Sequence, residues 1–459
     1  MELQDKLVLV AGAGISGIGA VGLLKAAGAD VILYDGNEKL QEESLYEKMR
    51  VSCVQDLDSV DVVLGELSEE IAEEIDLCVV SPGIPLDVPF MQLIRSKEKP
   101  VWGEIELAYR CSRGRVIGIT GTNGKTTTTA LTGKIIADYF ESTFVVGNIG
   151  TPYTLMAGKT REDSVTVAEI SSFQLETVEE FKPCVSAILN ITPDHLNRHK
   201  TMDCYIDTKF RITKNQGPDE ICVLNYEDDV LRKRADELSC KVVFFSSRTK
   251  LDNGIYMDGE RNIYLADQGR DTFLMNTKEM KLVGVHNAEN VMAAIAIAEA
   301  MRVPREIYLN TIKNFDAIEH RIEYVATIKD VVYYNDSKGT NTDASKKALE
   351  AMENKTVLIA GGYDKGSEYD DWVEAFGDKI KCLVLLGATA DKIEETARRH
   401  GFTNIRRVKS LQKAVVTASE NADAGETVLL SPACASWDMF KSFEQRGELF
   451  KKYVRDLMA

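Results

Sequence analysis

The 459-residue sequence has no C-x-x-C pair among its nine cysteines, no long apolar run and no excess of basic residues. An odd number of scattered cysteines indicates reduced thiols rather than a disulfide framework. Apolar runs such as residues 291–298 are far shorter than the ~18 residues that a membrane-spanning helix needs. Residues 1–6 lack the basic start and the cleavage site of a signal peptide. We therefore expect a cytoplasmic protein without membrane insertion.

Basic residues are outnumbered, with 55 Lys and Arg against 72 Asp and Glu and a formal net charge of −17. This balance argues against a nucleic-acid binder and against a protein that coats anionic membranes, since both need a positive surface. A local basic site for a phosphorylated ligand remains compatible with it. The hydrophobic and charged fractions, 44% and 28%, are typical of a globular chain. At roughly 150 residues per domain, we expect about three domains.

Short apolar runs alternate with helix-length segments, a pattern that predicts parallel α/β domains. The strand candidates are residues 7–10, 31–34, 60–64, 77–80, 116–120, 165–170, 185–189, 331–334, 357–360, 382–386 and 428–430. The pattern restarts twice, which predicts three α/β domains. These are a Rossmann-like domain over residues 1–104, a central phosphate-loop ATPase domain over 105–315 and a Rossmann-like C-terminal domain over 316–459. Within the central domain, residues 220–285 indicate a mostly antiparallel extension with a hairpin over 254–267, and residues 287–301 indicate an Ala-rich helix.

A glycine-rich turn follows the first strand. Gly12-Ala-Gly14-Ile-Ser-Gly17 leads into a helix, and Asp35 ends the next strand, close to the spacing of about 20 residues in dinucleotide-binding domains. Glycines there let the backbone approach a pyrophosphate, and the acidic residue can bind a ribose or base. Ser81-Pro-Gly83 is expected to close the other side of the crevice. The alternative is a turn that only permits close packing of helix on strand.

A second glycine-rich segment is a stronger signal. Gly121-Thr-Asn-Gly124-Lys125-Thr126 lies between a strand and a helix. Its backbone N–H groups can hold an anion, Lys125 can reach the β- and γ-phosphates, and Thr126 can bind Mg²⁺. Ile119 stands where the strict pattern has glycine, so the loop is shortened. Two nucleotide sites suggest one for a nucleotide-tagged substrate and one for ATP.

Further motifs resemble one known family. They are Thr120-Gly-Thr-Asn-Gly-Lys-Thr126, Gly147-Asn-Ile-Gly150, Glu169-Ile-Ser-Ser-Phe-Gln-Leu175, Asn190-Ile-Thr-Pro-Asp-His195, His286-Asn-x-x-Asn290, Glu319-His-Arg321, Asn335-Asp-Ser-Lys-Gly-Thr-Asn341 and Gly361-Gly-Tyr-Asp-Lys365. In order and spacing, over essentially the whole chain, they resemble the Mur ligases, which are ATP-dependent amide ligases of peptidoglycan synthesis. Leu430-Ser-Pro-Ala-Cys-Ala-Ser-Trp-Asp438 and Phe443-Glu-Gln-Arg-Gly447 resemble the branch that adds D-glutamate to UDP-N-acetylmuramoyl-L-alanine.

The resemblance implies a set of site residues. ATP would be bound by Gly121, Thr122, Asn123, Gly124, Lys125, Thr126, Thr127, Asn287, Asn290, Arg321, Asp336 and Lys338. The UDP-substrate would be bound by Gly14, Ile15, Ser16, Asp35, Gly83 and Asn148, and D-glutamate by Thr340, Lys365, Ser436 and Phe443. Two Mg²⁺ ions would be held by Thr126, Glu169, His195 and a Lys209 carbamylated by CO₂. The catalytic residues would be Lys125, Asn148, His195 and Lys209.

The residues by themselves support these roles unequally. Glu169 ends a buried strand, where a carboxylate can meet Mg²⁺, whereas His195 offers nitrogen to an ion that prefers oxygen. Lys209, taken alone, is one more solvated lysine. Asn287 and Asn290 can simply cap a helix. Ser436 is expected to begin the final helix, where free N–H groups favour an anion.

The implied reaction joins a carboxylate and an amine through an acyl phosphate. ATP phosphorylates the substrate carboxylate, and the incoming amine displaces phosphate from it. Such a reaction depends on positioning and on charge neutralisation. The alternatives are another Mur ligase, a folylpolyglutamate synthetase, an NAD-dependent oxidoreductase and a non-catalytic nucleotide-binding regulator. We expect a monomer that acts on small molecules and binds no nucleic acid.

Overall fold

The strands form three separate sheets, one in each segment expected from the sequence. The computed structural model describes residues 2–52, 54, 56–148, 150–316, 319–364 and 366–458. By contacts between residues the chain divides into two compact units. The first unit comprises residues 1–276 and 289–312, and the second comprises residues 277–288 and 313–459. The predicted α/β class with three sheets of mostly parallel strands is confirmed.

The first sheet is entirely parallel and has the order β3-β2-β1-β4-β5. Its elements are β1 Leu7–Ala11, α1 Ile15–Ala26, β2 Asp30–Asp35, α2 Glu42–Val51, β3 Val60–Leu64, α3 Glu69–Glu74, β4 Leu77–Val80, α4 Pro89–Ser96, β5 Val101–Gly103 and α5 Glu104–Cys111. Val8 pairs with Val31 on one side and Leu77 on the other. The strand order reverses between β1 and β4, so their carboxyl ends border the crevice where such sheets bind ligands.

The second sheet, also in the first unit, has the order β14-β13-β12-β11-β10-β9-β6-β8-β7. Its elements and their helices are β6 Arg115–Thr120, α6 Lys125–Ala137, β7 Thr143–Gly147, α7 Thr154–Ala157, β8 Val165–Glu169, α8 Ser172–Leu175, β9 Val185–Ile188, α9 Leu196–His199, α10 Met202–Phe210, β10 Ile221–Asn225, α11 Asp229–Arg234, β11 Lys241–Ser246, β12 Gly254–Met257, β13 Asn262–Asp267, β14 Arg270–Asn276, α12 Val285–Ala300 and α13 Arg305–Asn314.

The expectation of a mostly antiparallel extension over residues 220–285 is wrong for its first half. Strands β10, β11 and β12 pair in parallel and continue the main sheet. Only β12, β13 and β14 are antiparallel, so the predicted hairpin is confirmed. Alternating polarity indicates a half-exposed strand such as those of the hairpin. The buried β10 is instead a nearly continuous apolar run, and such a run does not reveal whether the strand pairs in parallel or antiparallel.

The third sheet has the order β15-β16-β20-β17-β18-β19 and is parallel except for its β15–β16 hairpin at one edge. Its elements are β15 Glu323–Ile328, β16 Val331–Asn335, α14 Thr342–Ala351, β17 Thr356–Ala360, α15 Asp370–Glu374, β18 Ile380–Leu385, α16 Ala390–Arg399, β19 Ile405–Arg407, α17 Leu411–Asn421, β20 Thr427–Leu430 and α18 Phe443–Asp456. Among the described residues, no helix combines the length and apolar character needed to cross a bilayer.

One expectation about the last helix is wrong. Ser436 does not begin it, because α18 starts at Phe443 and Ser442 is its N-cap, accepting a hydrogen bond from the Gln445 N–H. Ser436 instead lies in the loop after β20, where its carbonyl accepts from the Phe440 N–H at 2.8 Å. Residues 437–439 form a single turn that does not continue into a helix, so Ser436 does not stand at a helix N-terminus.

A buried carboxylate links α5 to the loop that precedes β9. Glu106 is fully buried, and its two oxygens accept hydrogen bonds of 2.9–3.0 Å from the backbone N–H groups of residues 179–181. The Arg110 Nε donates to the same carboxylate at 2.7 Å. All of these donors would lose their acceptor together if the carboxylate were removed.

We expect Glu106→Ala to lower the free energy of unfolding by about 3–5 kcal/mol, because it leaves three backbone N–H donors without their acceptor and removes one carboxylate partner of Arg110. Urea unfolding followed by circular dichroism measures the change. The control Glu162→Ala removes a carboxylate that is 84% exposed, and we expect a change of no more than about 0.5 kcal/mol. Equal effects of the two substitutions would contradict this account of Glu106.

Candidate active site

The phosphate loop connects β6 to α6 and depends on two glycines. Gly121 has φ +151° and Gly124 has φ +84°. A Cβ at Gly124 would lie 2.3 Å from Asn290 Oδ1, so only glycine lets the loop pack against α12. The Asn190 side chain holds Asn123 on both sides, accepting from its N–H at 2.8 Å and donating to its carbonyl at 3.0 Å. The loop is therefore fixed in shape.

Two lysine side chains converge on a single carbonyl of this loop. Lys125 Nζ donates to Gly121 O at 2.9 Å and to Thr122 O at 2.8 Å, and Lys209 Nζ donates to Gly121 O at 2.9 Å. Lys209 is only 1% exposed and lies over the Tyr205 ring. Burial, and secondly the charge of Lys125, hold the pKa of Lys209 well below its usual value. Lys209 is thus not the solvated lysine that its sequence alone suggests.

Glu169 and Asn148 follow neighbouring strands. Glu169 ends β8 and is 2% exposed, and its Oε1 accepts a 3.0 Å hydrogen bond from Asn148 Nδ2. The Asn148 N–H donates to the Glu169 carbonyl at 2.9 Å. Gly147 permits this approach with φ +118°, since a Cβ there would lie 2.1 Å from that carbonyl. The structure therefore brings these two predicted residues together.

His195 is placed by an aromatic contact. Its backbone is left-handed, with φ +53°, its side chain is 48% exposed, and its ring centroid lies 4.8 Å from that of Phe173. His199, which the sequence analysis did not name, stacks on the Phe173 ring, with 5.7 Å between the ring centroids. Its Nε2 lies 3.0 Å from Ser172 Oγ. His195 and His199 are four residues apart, a spacing that places side chains on the same face of a helix. This spacing is the sequence signal that could have identified His199.

The glycine turn of the first sheet divides into packed and open positions. A Cβ at Gly17 would lie 1.8 Å from the Gly12 carbonyl, and one at Gly12 would meet Ser81 at 2.7 Å. A Cβ at Gly14 or Gly83 would meet nothing within 4 Å. Two of the glycines therefore serve packing, as the alternative interpretation held, while Gly14 and Gly83 face open space.

The other residues predicted for this crevice lie around that open space. Ile15 is 73% exposed at the start of α1, and Ser16 beside it is half-buried. Asp35 Oδ2 accepts from the Ala13 N–H at 2.9 Å and Oδ1 accepts from the Asn37 N–H at 3.0 Å. The Asp35 carboxylate thus ties the end of β2 to the glycine turn.

Within the first unit, Arg198 joins the two sheets at this point. Its Nη2 donates to the Ile84 carbonyl at 2.8 Å and to Glu176 Oε2 at 2.6 Å, and its guanidinium lies over the Phe173 ring. Ile84 belongs to the loop after β4, and Phe173 contacts His195. The predicted UDP-substrate crevice and the predicted metal-ligand region are therefore physically connected.

In the second unit, Arg321 is presented by an unusual backbone. His320 and Ile322, on either side of it, have φ +67° and +46°. Positive φ is rare for a β-branched residue, and such backbone is concentrated at functional sites. Asp336, at the end of β16, is 6% exposed, and burial raises its pKa to about 7. Ser431 Oγ donates to Asp336 Oδ2 at 2.6 Å.

The second unit also holds the described residues predicted for D-glutamate. Thr340 is half-buried in the loop after β16, and its N–H donates to the Lys338 carbonyl at 2.9 Å. Phe443 begins α18, and Lys338 Nζ lies 5.3 Å from the centre of its ring. Ser436 is 2% exposed. Lys365 lies outside the described residues.

The remaining ATP candidates divide between the units. Asn290, in the first unit, accepts a 3.3 Å hydrogen bond from Thr128 Oγ1. Asn287, in the second unit, is 6% exposed and donates to the Val283 carbonyl at 2.8 Å. Thr126 and Thr127 lie in the first turn of α6, the former half-buried and the latter buried. Neither asparagine is an N-cap.

Among the described residues, one group of His, Cys, Asp and Glu side chains is close enough to share a metal ion. It consists of Glu319, His320 and Glu448 in the second unit. Lys451 Nζ already lies 3.0 Å from Glu319 Oε1 and 2.7 Å from Glu448 Oε1. A lysine ammonium therefore already pairs with both carboxylates of this cluster, which contains none of the predicted metal ligands.

Three known families match successive segments of the chain. The family described as "Mur ligase MurD-like, N-terminal domain" matches residues 6–103. "Mur ligase middle domain" matches residues 119–298, and "Mur ligase, glutamate ligase domain" matches residues 320–434. Each of the three sheets thus falls largely within one family match.

Similar proteins match over full length. A protein of Lachnospira eligens named UDP-N-acetylmuramoylalanine–D-glutamate ligase is 55% identical, with 100% of both chains covered. Proteins of the same name from Thermoanaerobacter sp. and Clostridioides difficile are 47% and 43% identical, again with 100% of both chains covered.

Solved structures share the fold at lower identity. UDP-N-acetylmuramate-alanine ligase MurC from Thermotoga maritima has a TM-score of 0.61 and 18% identity, covering 98% of this chain and 99% of its own. MurF ligase from the same organism, in complex with ADP, has a TM-score of 0.61 and 16% identity, covering 99% and 96%. With full-length relatives well above 30% identity and all three domains matched, the chain belongs to the Mur ligase family.

Proposed function

We propose that this chain is an ATP-dependent ligase that joins D-glutamate to UDP-N-acetylmuramoyl-L-alanine, forming ADP and phosphate in peptidoglycan precursor synthesis. One observation carries the proposal beyond the names of its relatives. Lys125 and the buried Lys209 meet at the Gly121 carbonyl of a phosphate loop, with Glu169 at the end of β8, the strand beside β6. The Lys125 ammonium suits a triphosphate, and the buried Glu169 carboxylate suits the metal that accompanies it.

The reaction follows from these groups. The substrate carboxylate attacks the γ-phosphorus of ATP, the bond to the ADP oxygen breaks, and an acyl phosphate forms. The amine of D-glutamate then attacks the acyl carbon, loses a proton, and phosphate departs with the bonding electrons. Lys125 neutralises charge that grows on the transferred phosphoryl group, and the Gly121–Thr126 loop holds the phosphates in position.

Mur ligases use ATP and Mg²⁺, and the oxygen donors of the first unit fit that ion. Thr126 and Glu169 follow adjacent parallel strands and offer a hydroxyl and a carboxylate, which Mg²⁺ prefers. We assign two ions to Thr126, Glu169, His195 and Lys209. When bound, the ions neutralise phosphate charge. Asn148, whose amide orients the Glu169 carboxylate, is assigned to the same site and to the UDP-substrate.

Lys209 suits this role only as a carbamate. A lysine ammonium repels a cation, but a neutral amine can attack CO₂ to give a carbamate anion and a proton. Burial lowers the pKa of Lys209 well below its usual value, so a neutral amine is available. The product is a carboxylate-like group beside the phosphate loop, whose Gly121 carbonyl Lys209 Nζ contacts at 2.9 Å.

The remaining assignments complete the site. ATP is assigned to residues 121–127, Asn287, Asn290, Arg321, Asp336 and Lys338. The UDP-substrate is assigned to Gly14, Ile15, Ser16, Asp35 and Gly83, and D-glutamate to Thr340, Lys365, Ser436 and Phe443. We infer a monomer that acts in the cytoplasm, where ATP is available and the eight described cysteines stay free thiols, as they are here.

Phosphate release by the purified protein tests the proposed function. We expect release from ATP only when UDP-N-acetylmuramoyl-L-alanine and D-glutamate are both present, because each supplies one reacting group. L-Lysine and D-alanine in place of D-glutamate should give little release. Equal rates with all three amino acids would refute the substrate assignment, and hydride transfer with NAD would refute the reaction class.

Lys125→Ala should lower kcat by about 10²–10³, because it removes a cation from the charge that develops on the phosphoryl group. The matched control is Lys134→Ala on the same helix, whose side chain is 57% exposed and pairs with Asp138. We expect near-normal turnover from the control. Wild-type turnover by Lys125→Ala would move the ATP site elsewhere.

Lys209→Ala should be nearly inactive, and formate or acetate should restore part of the activity by filling the vacant carboxylate position. Lys214→Ala is the control, because Lys214 is nearby in sequence but exposed. ¹³C NMR of protein supplied with ¹³C-bicarbonate should show a carbamate signal in the wild type and in Lys214→Ala but not in Lys209→Ala. Full activity of Lys209→Ala without additive would contradict the carbamate.

A further inference from the structure

In the second unit, the Arg446 guanidinium is buried and forms no salt bridge with a carboxylate of the described residues. Arg446, on α18, is 2% exposed. Its Nε donates to Ser337 Oγ at 3.0 Å, its Nη2 to Ser337 O at 2.8 Å and to Cys434 O at 3.2 Å, and its Nη1 to Cys434 O at 3.2 Å and Ala435 O at 3.3 Å. Every N–H of the group is therefore used, and all acceptors are one hydroxyl and three backbone carbonyls.

These acceptors belong to two loops that follow parallel strands. Ser337 lies after β16, between Asp336 and Lys338, and Cys434 and Ala435 lie after β20, just before Ser436. Ser337 Oγ in turn donates to the Phe443 carbonyl at 2.8 Å. The guanidinium thus sits where both loops and the first turn of α18 meet.

A third loop is packed against the same group. Gly362, after β17, has φ +152°, and a Cβ there would lie 2.2 Å from the Ala435 carbonyl and 3.3 Å from Arg446 Nη1. Tyr363 N–H donates to that carbonyl at 2.9 Å. Three of the sheet's carboxyl-end loops are therefore held at fixed separations around one side chain.

We propose that Arg446 is a positioning residue for the ligase reaction, which fixes the loop carrying Asp336 and Lys338 relative to the loop carrying Ser436. The inference rests on the proposed function, because those loops matter only if they bind ATP and the amino acid. Arg446 itself touches neither the reacting atoms nor a proposed ligand-binding side chain by hydrogen bond.

This role requires the planar geometry of the Arg446 guanidinium as well as its charge. A guanidinium presents donors in two directions at fixed angles, whereas a lysine ammonium at the same place can reach only part of the acceptor set. Burying a cation without a contacting anion is costly. A side chain that served packing alone would have no need of the charge, and an apolar residue would fill the same volume.

The test compares Arg446→Lys and Ser337→Ala with the wild type. We expect Arg446→Lys to raise the KM for D-glutamate by about tenfold or more, since lost charge-assisted hydrogen bonds are worth at least that factor. It should also weaken binding of a non-hydrolysable ATP analogue in calorimetry. Binding of UDP-N-acetylmuramoyl-L-alanine, assigned to the first unit, should stay unchanged. Ser337→Ala removes the hydroxyl that links Arg446 Nε to the Phe443 carbonyl but leaves the other four guanidinium hydrogen bonds, so it should change the same constants in the same direction by a smaller factor.

Arg455→Met on the same helix is the control, because Arg455 is exposed, and we expect it to leave all three constants unchanged. A purely structural role would lower the active fraction, reducing kcat while leaving each KM and Kd as in the wild type, and that result overturns the proposal. If Arg446→Lys does not fold, unchanged constants in Ser337→Ala overturn it as well. A wrong amino-acid assignment would show as wild-type protein that is inactive with D-glutamate. The ATP-analogue titration needs no turnover, so it still tests the role of Arg446 in that case.

Discussion

The interior parallel strands of all three sheets are buried, so reactive side chains have to come from the ends of these strands and the loops that follow them. Lys125 follows β6, Glu169 ends β8, Asp336 follows β16 and Ser436 follows β20. Because parallel strands point the same way, their carboxyl ends share one edge of each sheet, where ligands collect. The strand order therefore decides which loops are neighbours, and it brings together residues that are far apart in sequence.

Three buried ionisable side chains of this protein are held largely by the backbone. Glu106 accepts from three backbone N–H groups, Lys209 donates to the Gly121 carbonyl, and Arg446 donates to three carbonyls. A backbone partner is fixed by the fold, so it holds an ionisable side chain in one place without a second flexible side chain. The consequence differs with the group. For Glu106 the result is a bond between α5 and the loop before β9, for Lys209 an amine fixed at the phosphate loop, and for Arg446 a fixed set of loops.

Close backbone approaches are the second feature that shapes these loops. At Gly124, Gly147 and Gly362 a Cβ would lie 2.1–2.3 Å from an oxygen atom. All three glycines also have positive φ, which few other residues adopt at low cost. Each glycine lies beside a residue assigned to the site or to its positioning. Because glycine has no Cβ, these loops can pack closely, and the polar groups next to them are fixed in position.

Short-range sequence patterns were sufficient to predict those elements whose structure depends only on neighbouring residues. The hairpin before β14, four of the five strands of the first sheet and the phosphate loop were predictable from periodicity and turn residues, whereas the three-residue β5 was missed. The direction of β10 and β11 was not, because a continuous apolar run looks the same in a parallel and an antiparallel strand. The start of α18 was missed because Ser436 and Ser442 are both acceptable N-caps.

The sequence by itself determined the α/β class, the phosphate loop and, through its motifs, the resemblance to the Mur ligases. These are properties of residue type and short spacing. Only the tertiary structure decided that Lys209 is buried against Gly121, that His199 shares Phe173 with His195, and that Arg446 joins two loops. Each of these depends on which distant segments the sheet places side by side, and burial, which sets the cost of a charge, exists only once those segments have packed.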